Sequence, residues 1–242
     1  MKSHGGAILP NFGNPHQYAC EKANRLFCWN WFSQNWSGTL WPALRQHVVL
    51  VVIAVAVGFA ISMALALLAH RYRPLEQPVV AFTSFLYTIP SLAFFELLLG
   101  FPFLGLDRTT AEIPLISYTL LILFRNILTG LRSVPADVLD AARGMGMSRR
   151  QMLWRVEVPL AMPAIIAGLR IATVSTVALA TIAAVIDNEG LGVPILSAIS
   201  DSNFKTELIA AGTLAVLLAI FADALLVGAQ RLLTPWSRTR AV

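Results

Sequence analysis

In this sequence of 242 residues, two groups of side chains are placed to do something chemically specific, and neither is an acid–base pair. The first is a set of charges inside apolar runs: Arg125, Arg170 and Asp223. A charge in such a run is expensive and turns towards a partner, a wet cavity or a bundle interior. Counting about 1.5 Å per residue from the predicted run ends puts all three about 9–17 Å deep. They can share a layer, with Asp223 as the structural counter-ion of Arg125 or Arg170. Glu96, near the end of a run, reads as a carboxylate reaching towards lipid headgroups. The second group lies in the polar segment Val134–Pro159, where Asp140-Ala141-Ala142 is followed by Gly146, Val156, Val158 and Pro159. Pro135 suits a first helical turn, Ala136–Arg143 are good helix formers, and Gly144 and Gly146 permit a stop and a sharp turn. Ser148 is the candidate N-cap of a second helix over Ser148–Val156. Gly146 is the position expected to take a positive φ. Two short helices joined at a glycine turn make a rigid knob.

Other chemistries find no support. There is no Gly-x-x-x-x-Gly-Lys-Ser/Thr phosphate loop, no Ser/His/Asp set and no metal-ligand cluster, so the chain is not expected to hydrolyse ATP or to hold a cofactor or metal of its own. Cys20 and Cys28 form no CxxC pair and read as two unpaired thiols. The net charge of +5 and pI near 9.7 do not indicate nucleic acid, because the basic residues are scattered singly between apolar runs.

The elements that position these residues are membrane spans. The chain is 57% hydrophobic and 13% charged, against roughly 25% charged in soluble domains, and a chain this short cannot enclose so much apolar surface. Runs near the roughly 20 residues that cross a bilayer occur at Val48–Ala69, Val79–Leu99, Ile113–Leu131, Pro159–Ile186 and Leu208–Leu232. The expectation is an all-α polytopic membrane protein of about five transmembrane helices. Its transmembrane domain would be 47–233, with the knob at 134–159 and a tail at 234–242. The fourth run is too long for one plain span, so part of it is expected outside the hydrocarbon. Its small and hydroxylated residues suit close helix approach. Pro90 should kink the second span and free a carbonyl, as at a pathway or a packing bend. Trp29, Trp31, Phe32, Trp36 and Trp41 predict an interfacial helix near 29–46, within an N-terminal segment 1–46. Met1–Phe27 lacks the apolar core and cleavage pattern of a leader, so no cleavage is expected.

Ten loop and tail arginines fall on one side of these spans: Arg71 and Arg73; Arg132, Arg143, Arg149, Arg150 and Arg155; Arg231, Arg238 and Arg240. The opposite loops hold only Arg108 and Lys205, among six acids. Positive charge in short loops stays cytoplasmic, so the N-terminus is expected outside and the C-terminus inside.

The segment 134–159 closely resembles the EAA loop of ABC importer permeases: Asp140-Ala141-Ala142, Gly146, Val156, Val158 and Pro159 fall at every spacing of that pattern, with Asp for Glu, Val for Ile and Val for Leu. The resemblance covers about residues 29–233 and is closest to the osmoprotectant permeases for glycine betaine, choline and carnitine. It is carried by Thr88-Ile89-Pro90-Ser91-Leu92-Ala93, Arg125-Asn126-Ile127-Leu128-Thr129-Gly130-Leu131-Arg132, Ala141-Ala142-Arg143-Gly144-Met145-Gly146-Met147 and Ala167-Gly168-Leu169-Arg170. Asp187-Asn188-Glu189-Gly190-Leu191-Gly192 departs from it, the family more often having small residues before Gly-Leu-Gly. The resemblance implies the type I ABC importer permease fold in a bacterial cytoplasmic membrane. It implies a loop that docks on a separate ATPase subunit holding ATP and Mg, a second permease subunit in a homo- or heterodimer, and an extracytoplasmic substrate-binding protein. An importer for another small solute such as methionine shares the loop pattern; a channel or ion-driven carrier would need no docking knob.

Overall fold

The computed structural model describes residues 23–101, 105, 108–200 and 204–235, and among these it is built of helices. In chain order they are α1 (Trp29–Asn35), α2 (Trp41–Arg71), α3 (Glu76–Thr88), α4 (Ser91–Leu99), α5 (Arg108–Arg132), α6 (Ala136–Gly144), α7 (Arg149–Met152), α8 (Val158–Asp187), α9 (Gly192–Ser200) and α10 (Lys205–Leu233). Four helical stretches are long and apolar enough to cross a membrane, and the count is five if the bent pair at Arg73–Thr88 and Ser91–Leu99 is one span.

Two of the expected boundaries are corrected, each by a proline. The interfacial helix near 29–46 is not separate from the first span: Trp29–Arg71 runs as one helical stretch of 43 residues through a wide π turn at Trp36–Leu40. A second π turn, Leu153–Glu157, joins α7 to α8, so Arg149–Asp187 is continuous over 39 residues. Both π turns end two residues before a proline, Pro42 and Pro159. Proline removes one i→i−4 bond and crowds the preceding turn, and widening that turn accommodates the ring without ending the helix. At about 1.5 Å per residue, 39 and 43 residues reach roughly 58 and 65 Å. Both stretches therefore extend well past the roughly 30 Å hydrocarbon core, and the second places part of the fourth run outside it.

The second run is two helices rather than one kinked span. α3 and α4 meet at 90°, with Ile89 and Pro90 extended between them.

The core gathers around α5. Leu123, Phe124, Ile127, Leu128 and Leu131 pack on Ala66 and Ala69 of α2 and on Val158, Ala161 and Ile165 of α8. Towards the other end, Ala111 and Leu115 meet Val51, Ala54, Phe95, Val177, Ala180 and Ala183. Of the four long stretches α5 is the least apolar and yet the most enclosed, while α10 is the most exposed. α5 is surrounded by protein; α10 leaves Val216, Leu217, Ile220, Phe221 and Leu225 open to lipid or to another subunit. α8 and α5 cross closely at Gly168 of α8, where an added Cβ would lie 2.4 Å from Cβ of Asn126 on α5.

At the end opposite the arginine-rich loops, the N-terminal segment is fastened to α10. The Asn24 side chain accepts from the Lys205 N–H (3.0 Å), the Thr206 hydroxyl donates to the Arg25 carbonyl (3.1 Å), and Trp31 packs edge-on to Phe204. Cys28 is disulfide-bonded, which corrects the reading of two unpaired thiols. Cys20, the other cysteine of the sequence, lies outside the described residues.

Candidate coupling loop and transport pathway

The knob is built from two helix caps placed almost back to back. α6 ends in a Schellman turn: Gly146 stands at φ +77°, its N–H donates to the Arg143 carbonyl (2.9 Å), and the Met147 N–H donates to the Ala142 carbonyl (3.2 Å). That paired bonding needs a left-handed residue at this point, where glycine carries no Cβ penalty. One residue later α7 begins in a capping box. The Gln151 N–H donates to the Ser148 hydroxyl (3.4 Å), and the Ser148 N–H donates to the Gln151 side-chain oxygen (2.9 Å). The N-terminal glycine of the pair, Gly144, is the last residue of α6, and the chain turns at Met145–Met147.

The seven spaced residues divide by exposure. Asp140, Ala141 and Gly146 are exposed, with Asp140 paired to Arg143 one turn on (2.8 Å). Ala142 is only 2% exposed and Val158 belongs to the α5-centred core, while Val156 and Pro159 are half-buried. Ala141, Val138 and Met145 are therefore presented on the surface of the knob, whereas Ala142 packs inward.

The knob stands on a frame that spacing in the sequence could not reveal. His70 at the end of α2 pairs with the buried Glu157 (2.6 Å), and Arg132 at the end of α5 pairs with Glu76 at the start of α3 (2.5 Å). At the loop's base α2 is thereby tied to the π turn before α8, and α5 to α3.

Of the three charges within the spans, the structure joins two. Arg170 holds Asp223 with two hydrogen bonds, Nε to Oδ1 at 2.7 Å and a second guanidinium nitrogen to Oδ2 at 2.9 Å. This is the forked geometry in which arginine binds a carboxylate most firmly. Arg125 is exposed on α5 and takes no part in that pair, so of the two arginines offered as counter-ion to Asp223 the structure pairs Arg170, between α8 and α10. Glu96 is exposed on α4.

Pro90 lies at the break, and beside it a cavity of about 460 Å³ opens between α3, α4, α5 and α8. Tyr87, Thr88 and Pro90 form one wall, Tyr118 the second, and Ser175 and Thr176 the third. The Tyr118 hydroxyl donates to the Ile89 carbonyl, supplying the break with a partner from protein. At the far end, Arg108 binds Glu189 (Nε to Oε2 2.9 Å), and the Glu189 N–H donates to Asp187 (3.1 Å). The Leu191 N–H donates to Nδ1 of the fully buried His47, whose Nε2 donates to the Val177 carbonyl (3.0 Å). The atypical acids at 187–192 thus belong to a loop clamped to α5 and α2.

A loop cap fixed on a helical bundle, a break in an apolar run and a charge pair between two long helices suit a transport subunit, and comparison with known proteins identifies which kind. Residues 46–239 match the family described as binding-protein-dependent transport system inner membrane component. The chain belongs to this family. It is a multi-pass membrane permease, and among relatives it is 39% identical to the osmoprotectant import permease protein OsmW of Salmonella typhimurium (strain LT2), over 82% of this chain and 94% of that one. It is 33% identical to the choline transport system permease protein OpuBB of Bacillus subtilis (strain 168), over 84% and 93%. Among solved structures, the inward-facing MetNI methionine ABC transporter aligns with a TM-score of 0.67 at 18% identity, covering 78% of this chain and 93% of that one. An amino acid ABC transporter crystallised with histidines gives 0.68 at 15%, covering 82% and 96%. This permease therefore has the type I ABC importer fold.

Proposed function

We propose that this permease carries a small quaternary-ammonium osmoprotectant, of the glycine betaine, choline and carnitine class, delivered by an extracytoplasmic binding protein. Import is driven by a separate ATPase subunit, which binds ATP and Mg and docks on the loop 134–159. The observation that carries the cargo is similarity: relatives at 30% identity or more, over most of both chains, bear osmoprotectant, choline or carnitine names. The methionine and amino-acid transporters share the architecture at 15–18% identity, which speaks for fold and not for cargo. The geometry that supports coupling is the rigid double cap at Gly146 and Ser148, fixed to the core through Val158.

The arginine-rich end is the cytoplasmic one, with the N-terminus outside and the C-terminus inside. The Cys28 disulfide at the opposite end suits an oxidising compartment. About five crossings enclose little space, so a second permease subunit, a copy or a relative, completes the pathway. The test is uptake into proteoliposomes holding the permease, its ATPase and its binding protein. ATP-dependent uptake of labelled choline, glycine betaine or carnitine is expected, with methionine not competing. Uptake of methionine in their place, or uptake independent of ATP, would overturn the reading.

A further inference from the structure

We propose that the cavity at the Ile89–Pro90 break is a transit site inside the permease for the quaternary ammonium head of the cargo, distinct from the capture site on the external binding protein. The inference rests on the cargo class proposed above. At about 460 Å³ the cavity lies within the 300–1,000 Å³ range of small-molecule sites. Its aromatic walls, Tyr87 and Tyr118, have ring centroids 5.6 Å apart and planes at 74°, so they form a corner rather than a stack. A trimethylammonium group has no N–H to satisfy and is held by aromatic faces and oxygen lone pairs.

The oxygens are set for a cation. The hydroxyls of Thr88, Thr176 and Tyr118 donate their protons to the backbone carbonyls of Phe85, Ala172 and Ile89, leaving lone pairs for an occupant. The cavity also receives the carbonyl end of α3, where the helix dipole is negative. No charged side chain lines it among the described residues. In line with Tyr118 on α5, Arg125 stands seven residues and about 10 Å farther along the axis, outside the lining. A neutral, weakly attractive lining suits passage, because a transported solute must leave as readily as it enters.

Tyr87 separates binding from scaffolding. The Tyr118 hydroxyl holds the break, whereas the Tyr87 ring is 44% exposed and its hydroxyl has no protein partner among the described residues. The permease–ATPase complex in nanodiscs, without binding protein, is titrated with labelled choline, using tetramethylammonium and the neutral isostere dimethylbutanol as competitors. Tetramethylammonium is expected to compete and dimethylbutanol not; Tyr87→Leu is expected to weaken choline binding about 5- to 30-fold and Tyr87→Phe to retain it. Unchanged affinity in Tyr87→Leu, equal competition by the neutral isostere, or no choline binding by the wild type would overturn the site. ATP-driven choline uptake by the complete importer is measured in parallel. If the importer takes up choline while the cavity tests fail, this inference falls and the cargo reading stands; if it takes up no quaternary ammonium compound, the cargo reading itself falls.

Discussion

Replacing Gly146 tests whether backbone geometry at the knob couples this permease to its ATPase. An added Cβ at Gly146 meets nothing within 4 Å, so steric collision contributes nothing and the whole penalty is conformational. At φ +77° an L-residue with a Cβ pays about 1–2 kcal/mol, with a β-branched residue at or above the upper end. The chain can escape that strain only by abandoning the left-handed turn, which loses the Gly146-to-Arg143 and Met147-to-Ala142 bonds at about 0.5–1.5 kcal/mol each. Either route disfavours the docking geometry by about 1–3 kcal/mol, or roughly 5- to 150-fold in the population able to dock. Gly146→Val should insert at normal yield, co-purify poorly with its ATPase, and lose cargo-stimulated ATP hydrolysis and transport together. The expected order of damage is Val, then Ala, then Asn, because Asn tolerates the left-handed region best. Gly144→Ala, in a helical and open position, should be close to silent. Normal transport by Gly146→Val with the ATPase bound would remove the coupling role of the loop. An Asn variant as damaged as Val would show that side-chain presence, not backbone strain, is the cause.

Three further outcomes can be checked with membrane preparations. Asp223→Asn, which leaves Arg170 with no counter-ion at mid-span, should lower yield and thermal stability in detergent more than Glu96→Gln; equal values for the two would refute a structural role for the pair. Gly168→Val forces α5 and α8 apart at Asn126 and should cost about 1–3 kcal/mol, recovered in part by Asn126→Gly, and a melting temperature equal to wild type would contradict the crossing. Cys28 should react with a membrane-impermeant maleimide in intact cells only after reduction with an impermeant reductant. Labelling that requires permeabilisation would invert the topology.

Which parts of this permease could be read from the sequence follows from what each signal encodes. Long apolar runs report lipid contact directly, so the four long stretches and the apolar run at Val79–Leu99 are legible, though not its division into two helices at 90°; the positive φ at Gly146 is legible because a sharp turn between two short helices favours a glycine. The continuity of Trp29–Arg71 was not legible: a Trp-rich stretch reads as a separate helix at the membrane interface, and only the π turn at Trp36–Leu40 reveals that the helix carries on. Long-range ties such as His70–Glu157 leave no trace at fixed spacing.

The charge pair shows the limit most clearly, because depth and direction are separate quantities. Residue counting gives depth, and by that measure Arg125, Arg170 and Asp223 share a layer. Direction around the helix advances about 100° per residue and is fixed only once a neighbour is known. Asn126 meets α8 at Gly168, which turns the adjacent Arg125 about 100° away from that contact. On α8 the same crossing fixes Gly168 towards α5, and Arg170, two residues later, is rotated about 200°, to the far side, where α10 brings Asp223. The residue that decides which arginine receives the aspartate is therefore the glycine at the crossing. Any change that rotated α8 there should break the Arg170–Asp223 pair without touching either partner.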